Sequence, residues 1–263
     1  MLVAVLAFVA TGAVAGLLAG LLGVGGGAII VPALIYLLPL VGVPTAALTQ
    51  VAVGTSLACI SLISVNSTIA HHRRGGVVWP VFARLTPGLV LGAIAGAALA
   101  HGLTSLTLRR IIGVAALLMA LKMAAGLRGQ ADNRLPGAPG LAAVGGVIGM
   151  LSALVGIGGG SLTVPFLAWC RMAMSRAVAT SAACGMPIAW AGTLGFVVIG
   201  WGNSPDAAAS LGYIYLPAAA GVIAGSLAMT PVGAMLAHRL PATALRRVFA
   251  VVLAVVGCDM LFA

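Results

Sequence analysis

Ten residues near the start of the chain, GVGGGAIIVP at 23–32, return as GIGGGSLTVP at 156–165. Each copy follows an apolar run containing small residues, GLLAGLL before the first and GMLSALV before the second. The repetition continues in order. AVGTS at 52–56 returns as AVATS at 177–181, and LRR at 108–110 as LRR at 245–247, each LRR opening a closing apolar run. The copies start 133, 125 and 137 residues apart (23 to 156, 52 to 177, 108 to 245), so loop lengths vary while the order is kept. An internal repeat of this kind decides the architecture before any single element is assigned. The longest departure from apolar sequence, RGQADNRLPGAP at 128–139, is the seam. The expected units are a first membrane repeat over 1–127, a cytoplasmic linker over 128–138 and a second membrane repeat over 139–263.

Composition says what solvent the repeats fold in. Hydrophobic residues make up 62% of the chain and charged ones 6%, with 13 Lys+Arg against three Asp and no Glu. A soluble domain carries about 25% charged residues, so this chain has no means of wetting a globular surface. Five apolar segments are expected in each half: 2–22, 28–39, 45–70, 78–101 and 106–126, then 139–156, 160–170, 176–200, 211–237 and 242–262. The second of each set falls short of the ~20 residues a spanning helix needs, which marks a broken or re-entrant helix. The expected fold is an all-α integral membrane protein of two inverted repeats, each with about five helical segments. The N-terminal MLVAVLAFVA lacks the basic region of a cleavable signal and is expected to stay as the first span.

Net charge is +10, but the cations sit in pairs and singles at the ends of apolar runs, the pattern of topology determinants rather than of a nucleic-acid surface. With the N-terminus outside and an odd number of crossings per half, Arg73, Arg74, Lys122, Arg128, Arg134, Arg171, Arg176, Arg239, Arg246 and Arg247 face the cytoplasm, with Arg84 near them. Arg109 and Arg110 alone face out. This distribution favours inverted repeats, which imply alternating access around a midplane site. Cys59, Cys170, Cys184 and Cys258 form no CxxC spacing, so neither a disulfide framework nor a metal site is expected. His71, His72, His101 and His238 lie at span ends, as do Trp79, Trp169 and Trp201; Trp190 lies deeper and is expected to wall a pocket.

The glycine runs are where chemistry is expected. Gly25, Gly26 and Gly27, and again Gly158, Gly159 and Gly160, each stand before a short helix bearing Pro32 or Pro165. Each interior glycine costs about 1 kcal/mol against alanine, so three together end a helix. Unwound backbone is tolerated in a membrane only where it lines a cavity or is buried in protein. Half-helices starting near Ala28 and Ser161 would then present N–H groups with partial positive charge, a ready anion site. Packing is the competing role of such glycines, although packing glycines come at four-residue spacing. Thr55, Ser56, Thr180 and Ser181, with Ser161, Thr163 and Asn66, supply hydroxyls or an amide for the site, or bond back to their own helices. Arg84 and Lys122 are within reach of an interface. Asp132, Asp206 and Asp259 all lie away from span centres, which argues against a cation substrate. No GK[ST] phosphate loop occurs and no nucleophile–base pair is evident, so neither ATP hydrolysis nor any other enzyme chemistry is expected, and no cofactor.

LLGVGGGAIIVPAL (21–34), the repeated TS motif, HHRRG (71–75) and ALVGIGGGSLTVPFL (153–167) together resemble the TauE/SafE sulfite-exporter family. The resemblance covers essentially the whole chain, except that VIGWG (198–202) stands where HHRRG would recur. It implies a bacterial inner-membrane transporter of small sulfur-containing anions such as sulfite, sulfoacetate or other organosulfonates. The expected partners are a small anionic substrate and the lipid bilayer, with room for a homo-oligomer and none for nucleic acid. A channel, or an importer of a related oxyanion, would use the same residues.

Overall fold

The computed structural model describes residues 2–22, 26–124, 135–201, 209–237 and 242–262. Gly25, Asp132, Asp206, His238, most of the linker and most of the 201–206 loop lie outside the described residues. Within them the chain forms α1 (Leu2–Leu22), α2 (Gly27–Leu37), α3 (Leu48–Arg73), α4 (Trp79–Gly102) and α5 (Ser105–Ala124). The second half gives α6 (Ala138–Val155), α7 (Gly160–Trp169), α8 (Met174–Gly200), α9 (Leu216–Ala237) and α10 (Ala242–Phe262). Short 3-10 turns at Leu38–Val41 and Thr45–Ala47 link α2 to α3.

Thr45–Arg73, Trp79–Gly102, Ala138–Val155 and Met174–Gly200 are each long and apolar enough to cross a membrane. By contrast α2 and α7, at 11 and 10 residues, reach only about 16 and 15 Å, half of the ~30 Å hydrocarbon core. The chain is a predominantly helical, multi-pass membrane protein. One segment differs from expectation. The run from 211 was expected to be helical, but Ser210–Leu211 and Ile214–Tyr215 pair as a two-stranded hairpin, β1 and β2, and α9 begins only at Leu216. Gly212 turns with φ +57°, and the Tyr213 N–H donates to the Phe196 carbonyl at 3.2 Å, folding the hairpin back on α8.

Packing follows small residues. In lipid nothing apolar is gained by burying one helix face against another, so close backbone approach supplies the association. Gly12 and Gly16 of α1 lie against Val222 and Ser226 of α9, and the Ser226 hydroxyl donates to the Gly12 carbonyl at 2.9 Å. Gly88, Gly92 and Gly96 of α4 lie against Ala142, Gly146 and Met150 of α6. Partner numbers rise together in both pairs, so both are parallel. The central pair, α3 and α8, runs the other way. From Gly54 against Phe196, through Leu57 against Gly192 and Ser61 against Trp190, to Thr68 against Ala182, one number rises as the other falls. α5 and α10 are antiparallel too, with Gly113 against Met260 and Leu117 against Gly257. Exchanging each helix for its counterpart five places along leaves this pairing scheme unchanged: α1 with α9 becomes α6 with α4, and the two antiparallel pairs map onto themselves.

Candidate functional site

The second break forms where glycine lets the backbone leave a helix. α6 ends in a left-handed cap at Gly156 (φ +69°), and both Gly156 and Ile157 donate their N–H groups to the Ser152 carbonyl. A β-carbon there would meet Val31 Cγ2 at 2.7 Å, so position 156 combines a glycine conformation with a glycine-sized space. α7 then starts at Gly160, with Thr163 donating to the Gly159 carbonyl at 2.9 Å. α2 begins in the same way after Gly26, whose carbonyl accepts from Ile29 and Ile30 at 3.0 and 3.1 Å. Pro32 and Pro165 each stand sixth in their helices. Their missing N–H frees the carbonyls of Ala28 and Ser161, four residues back.

The two breaks meet. A β-carbon on Gly27 would sit 2.6 Å from the Gly156 carbonyl oxygen and 3.0 Å from Ile157 Cα, so the start of α2 is seated directly on the second break. Ser56 donates to that same Gly156 carbonyl at 2.9 Å, and Ser181 reaches the Gly159 carbonyl at 3.5 Å, both fully buried. Gly158 lies beside Ile60, while Gly159 is surrounded by Ile188, Thr163 Oγ1 and the Gly185 N–H.

Hydroxyls divide into two kinds around this junction. Thr55 Oγ1 accepts from the Tyr215 N–H and Thr180 Oγ1 from the Val78 N–H, each at 3.0 Å, so both oxygens are occupied by main chain. Ser161 Oγ and Thr163 Oγ1 are buried at the start of α7 with no hydrogen-bond partner, and Thr163 has no exposed surface at all. A buried hydroxyl left unpaired costs about 1–3 kcal/mol, which makes these two atoms the most ligand-like feature of the junction. The amides of Gly160, Ser161 and Leu162 precede the first N–H···O bond of α7 and lie at its positive end. A small apolar cavity of about 10 Å³ lies behind the start of α2, between Ala28, Pro32, Ile112, Ala116, Ile157 and Leu253. That is at the lower limit for a single water.

Other expected residues lie elsewhere. Trp190 does not wall a pocket: it is 51% exposed, and its indole N–H donates to the Ser61 carbonyl at 3.2 Å. Asn66 and Arg84 are exposed. A helix that is apolar all round gives no sequence cue to which face turns inward. Asp259 has a partner that sequence reasoning missed. Antiparallel packing of α5 and α10 sets its carboxylate 3.5 Å from Arg109, whose guanidinium also donates to the Tyr36 hydroxyl at 3.4 Å. The repeat around the threonines is also longer than the TS motif, since AVGTSLAC (52–59) matches AVATSAAC (177–184) and pairs the two buried thiols, Cys59 and Cys184. Among the described residues no group of His, Cys, Asp or Glu is placed to hold a metal ion.

The family model described as sulfite exporter TauE/SafE matches residues 8–260. The chain belongs to the TauE/SafE family. It is similar to a "Probable membrane transporter protein" of Haemophilus influenzae, 38% identical over 250 residues and covering 95% of each chain. A protein of Methanocaldococcus jannaschii with the same description is 27% identical over 95% of this chain and 92% of its own. One from Bacillus subtilis is 25% identical over 97% and 96%. No solved structure matches. As a TauE/SafE member with apolar helices long enough to span a bilayer, the protein is a membrane transporter.

Proposed function

We propose that this TauE/SafE protein exports a small sulfur-containing oxyanion, namely sulfite, sulfoacetate or another organosulfonate, across the bacterial inner membrane by alternating access. One observation carries the reading: Ser161 Oγ and Thr163 Oγ1 are buried without partners at the N-terminal end of α7. An oxyanion there accepts from both hydroxyls and from the amides of Gly160, Ser161 and Leu162, and the helix end supplies positive potential without a cationic side chain. Gly158 and Gly159 let the backbone approach, Ser56 and Ser181 hold the flanking carbonyls, and Gly26, Gly27 and Ala28 close the opposite wall. No carboxylate among the described residues faces this junction to repel an anion.

Alternating access follows from the repeats being inverted. Support comes from the antiparallel runs of the repeat-equivalent helices α3 and α8, and α5 and α10. The cation distribution supports an N-terminus in the periplasm. At an inside-negative potential an anion leaves downhill by about 2.3 kcal/mol per charge per 100 mV, so export needs no coupling ion. The test is labelled sulfite efflux from proteoliposomes, with organosulfonates as competitors. Saturable flux with exchange of label across the membrane is expected. Flux that never saturates would mean a channel, and net accumulation against the potential would mean an importer.

A further inference from the structure

Two hydrogen bonds in the molecule are images of each other under the repeat. Thr55 and Thr180 are counterparts, 125 residues apart, and Val78 and Tyr215 are counterparts, each standing directly before a helix with proline in second place (Pro80 and Pro217). Thr55 of the first half accepts the N–H of Tyr215 of the second, and Thr180 of the second accepts the N–H of Val78 of the first, both at 3.0 Å. Each half thus holds the start of the other half's fourth helix. The two bonds also lie at opposite ends of the antiparallel α3–α8 pair. Thr180 is two residues beyond Ala182, which faces Thr68, and this sets the bonds roughly 20 Å apart along the pair at 1.5 Å per residue.

From this arrangement we infer that Thr55 and Thr180 are the latches of two gates, one at each membrane face, and that this conformation has both latches closed. The inference rests on the alternating-access reading above. Both threonines are fully buried, so neither hydroxyl is placed to serve water or lipid. Val78 and Tyr215 sit outside their helices, where an N–H has no ladder partner and the threonine oxygen is what satisfies it. Opening either face swings the fourth helix of one half away from the third helix of the other and breaks one bond, while the far bond holds the opposite gate shut. Two such bonds, one per face and neither within a single repeat, are what a carrier needs to keep both gates from opening together. Other hydroxyls of α3 bond within their own helix, as Ser61 does to Ala58 and Ser64 to Ser61, and those bonds survive a rigid-body swing.

The test reads gate opening directly and does not depend on knowing the substrate. Val77 and Ile214 are repeat counterparts, 137 residues apart, buried beside the two latches. A cysteine is placed at one of them, Val77→Cys or Ile214→Cys, with Cys258→Ser as background, and labelled from either face with a membrane-impermeant maleimide. Thr55→Val is expected to raise labelling at position 214 about tenfold from one face and to leave position 77 unchanged or slower. Thr180→Val is expected to do the reverse from the other face. Thr→Ser at each position keeps the hydroxyl and should label as the parent does. If each valine variant raised labelling at both positions alike, the threonines would be general packing residues. If neither did, or if both positions labelled from the same face, the latch assignment would fall. Sulfite flux in the same vesicles separates the two readings: absent flux with side-specific labelling would remove the cargo and keep the latches.

Discussion

α2 starts Gly27, Ala28, Ile29, Ile30, and α7 starts Gly160, Ser161, Leu162, Thr163. The two helices stand at equivalent places in the repeat, follow equivalent glycine runs and carry proline at the same step. Yet α2 is buried along most of its length, with apolar side chains at its start and its first residue pressed against the Gly156 carbonyl. α7 is less deeply buried and opens on two hydroxyls without partners. A duplicated scaffold supplies two helix ends; the side chains make one of them a wall and leave the other chemically unsatisfied. Equivalent places in the repeat thus differ in side-chain chemistry.

Substitutions at the glycines should divide the two breaks most sharply. Gly27→Ala puts a methyl 2.6 Å from a backbone oxygen that cannot turn aside, whereas Gly159→Ala meets the mobile tip of Ile188 at 2.7 Å. The first should lower stability by about 3 kcal/mol and the second by under 1 kcal/mol, read as thermal midpoints in detergent. Equal losses would mean that the breaks are packed alike. Next in size is Thr163→Val, which removes an unpaired buried hydroxyl. It should stabilise the fold by about 1 kcal/mol while cutting sulfite flux by at least tenfold. A variant that lost both stability and flux would show that the hydroxyl is bonded within the fold and is not free for a ligand.

Smaller effects are expected away from α7. Asp259→Asn removes the carboxylate from a partly exposed pair with Arg109 and should change stability by no more than about 0.5 kcal/mol, less at high salt. A larger, salt-independent loss would give the α5–α10 end a role not assigned to it. Smallest of all is Ala28→Ser, which copies Ser161 into the first break. Flux per folded protein should stay within a factor of two, and a clear gain would mean that α2 also touches the ligand.

Much of this was written in the chain. The ten helical segments fall within about five residues of where apolar runs and glycine or proline punctuation set them, because a membrane helix is dictated by local composition and needs no partner to be recognised. The breaks, too, were legible as glycine runs. Pairings between distant segments were not. Nothing local says that Thr55 accepts a hydrogen bond from the Tyr215 N–H, or that Asp259 lies by Arg109, since both depend on which helix lies beside which. The four-residue glycine spacing that joins α1 to α9 and α4 to α6 was present at 12 and 16 and at 88, 92 and 96. It was hidden by the abundance of glycine, 37 in all.

The central claim is that the anion is held by the hydroxyls at the start of α7. Its most direct test is labelled sulfite exchange in proteoliposomes by the Ser161→Ala, Thr163→Val double variant, beside Ala28→Ser and the parent protein. Saturable exchange in the parent and in Ala28→Ser, with at least a tenfold loss in the double variant at equal folded yield, is the predicted result. Undiminished exchange by the double variant would contradict the account and move the site away from α7.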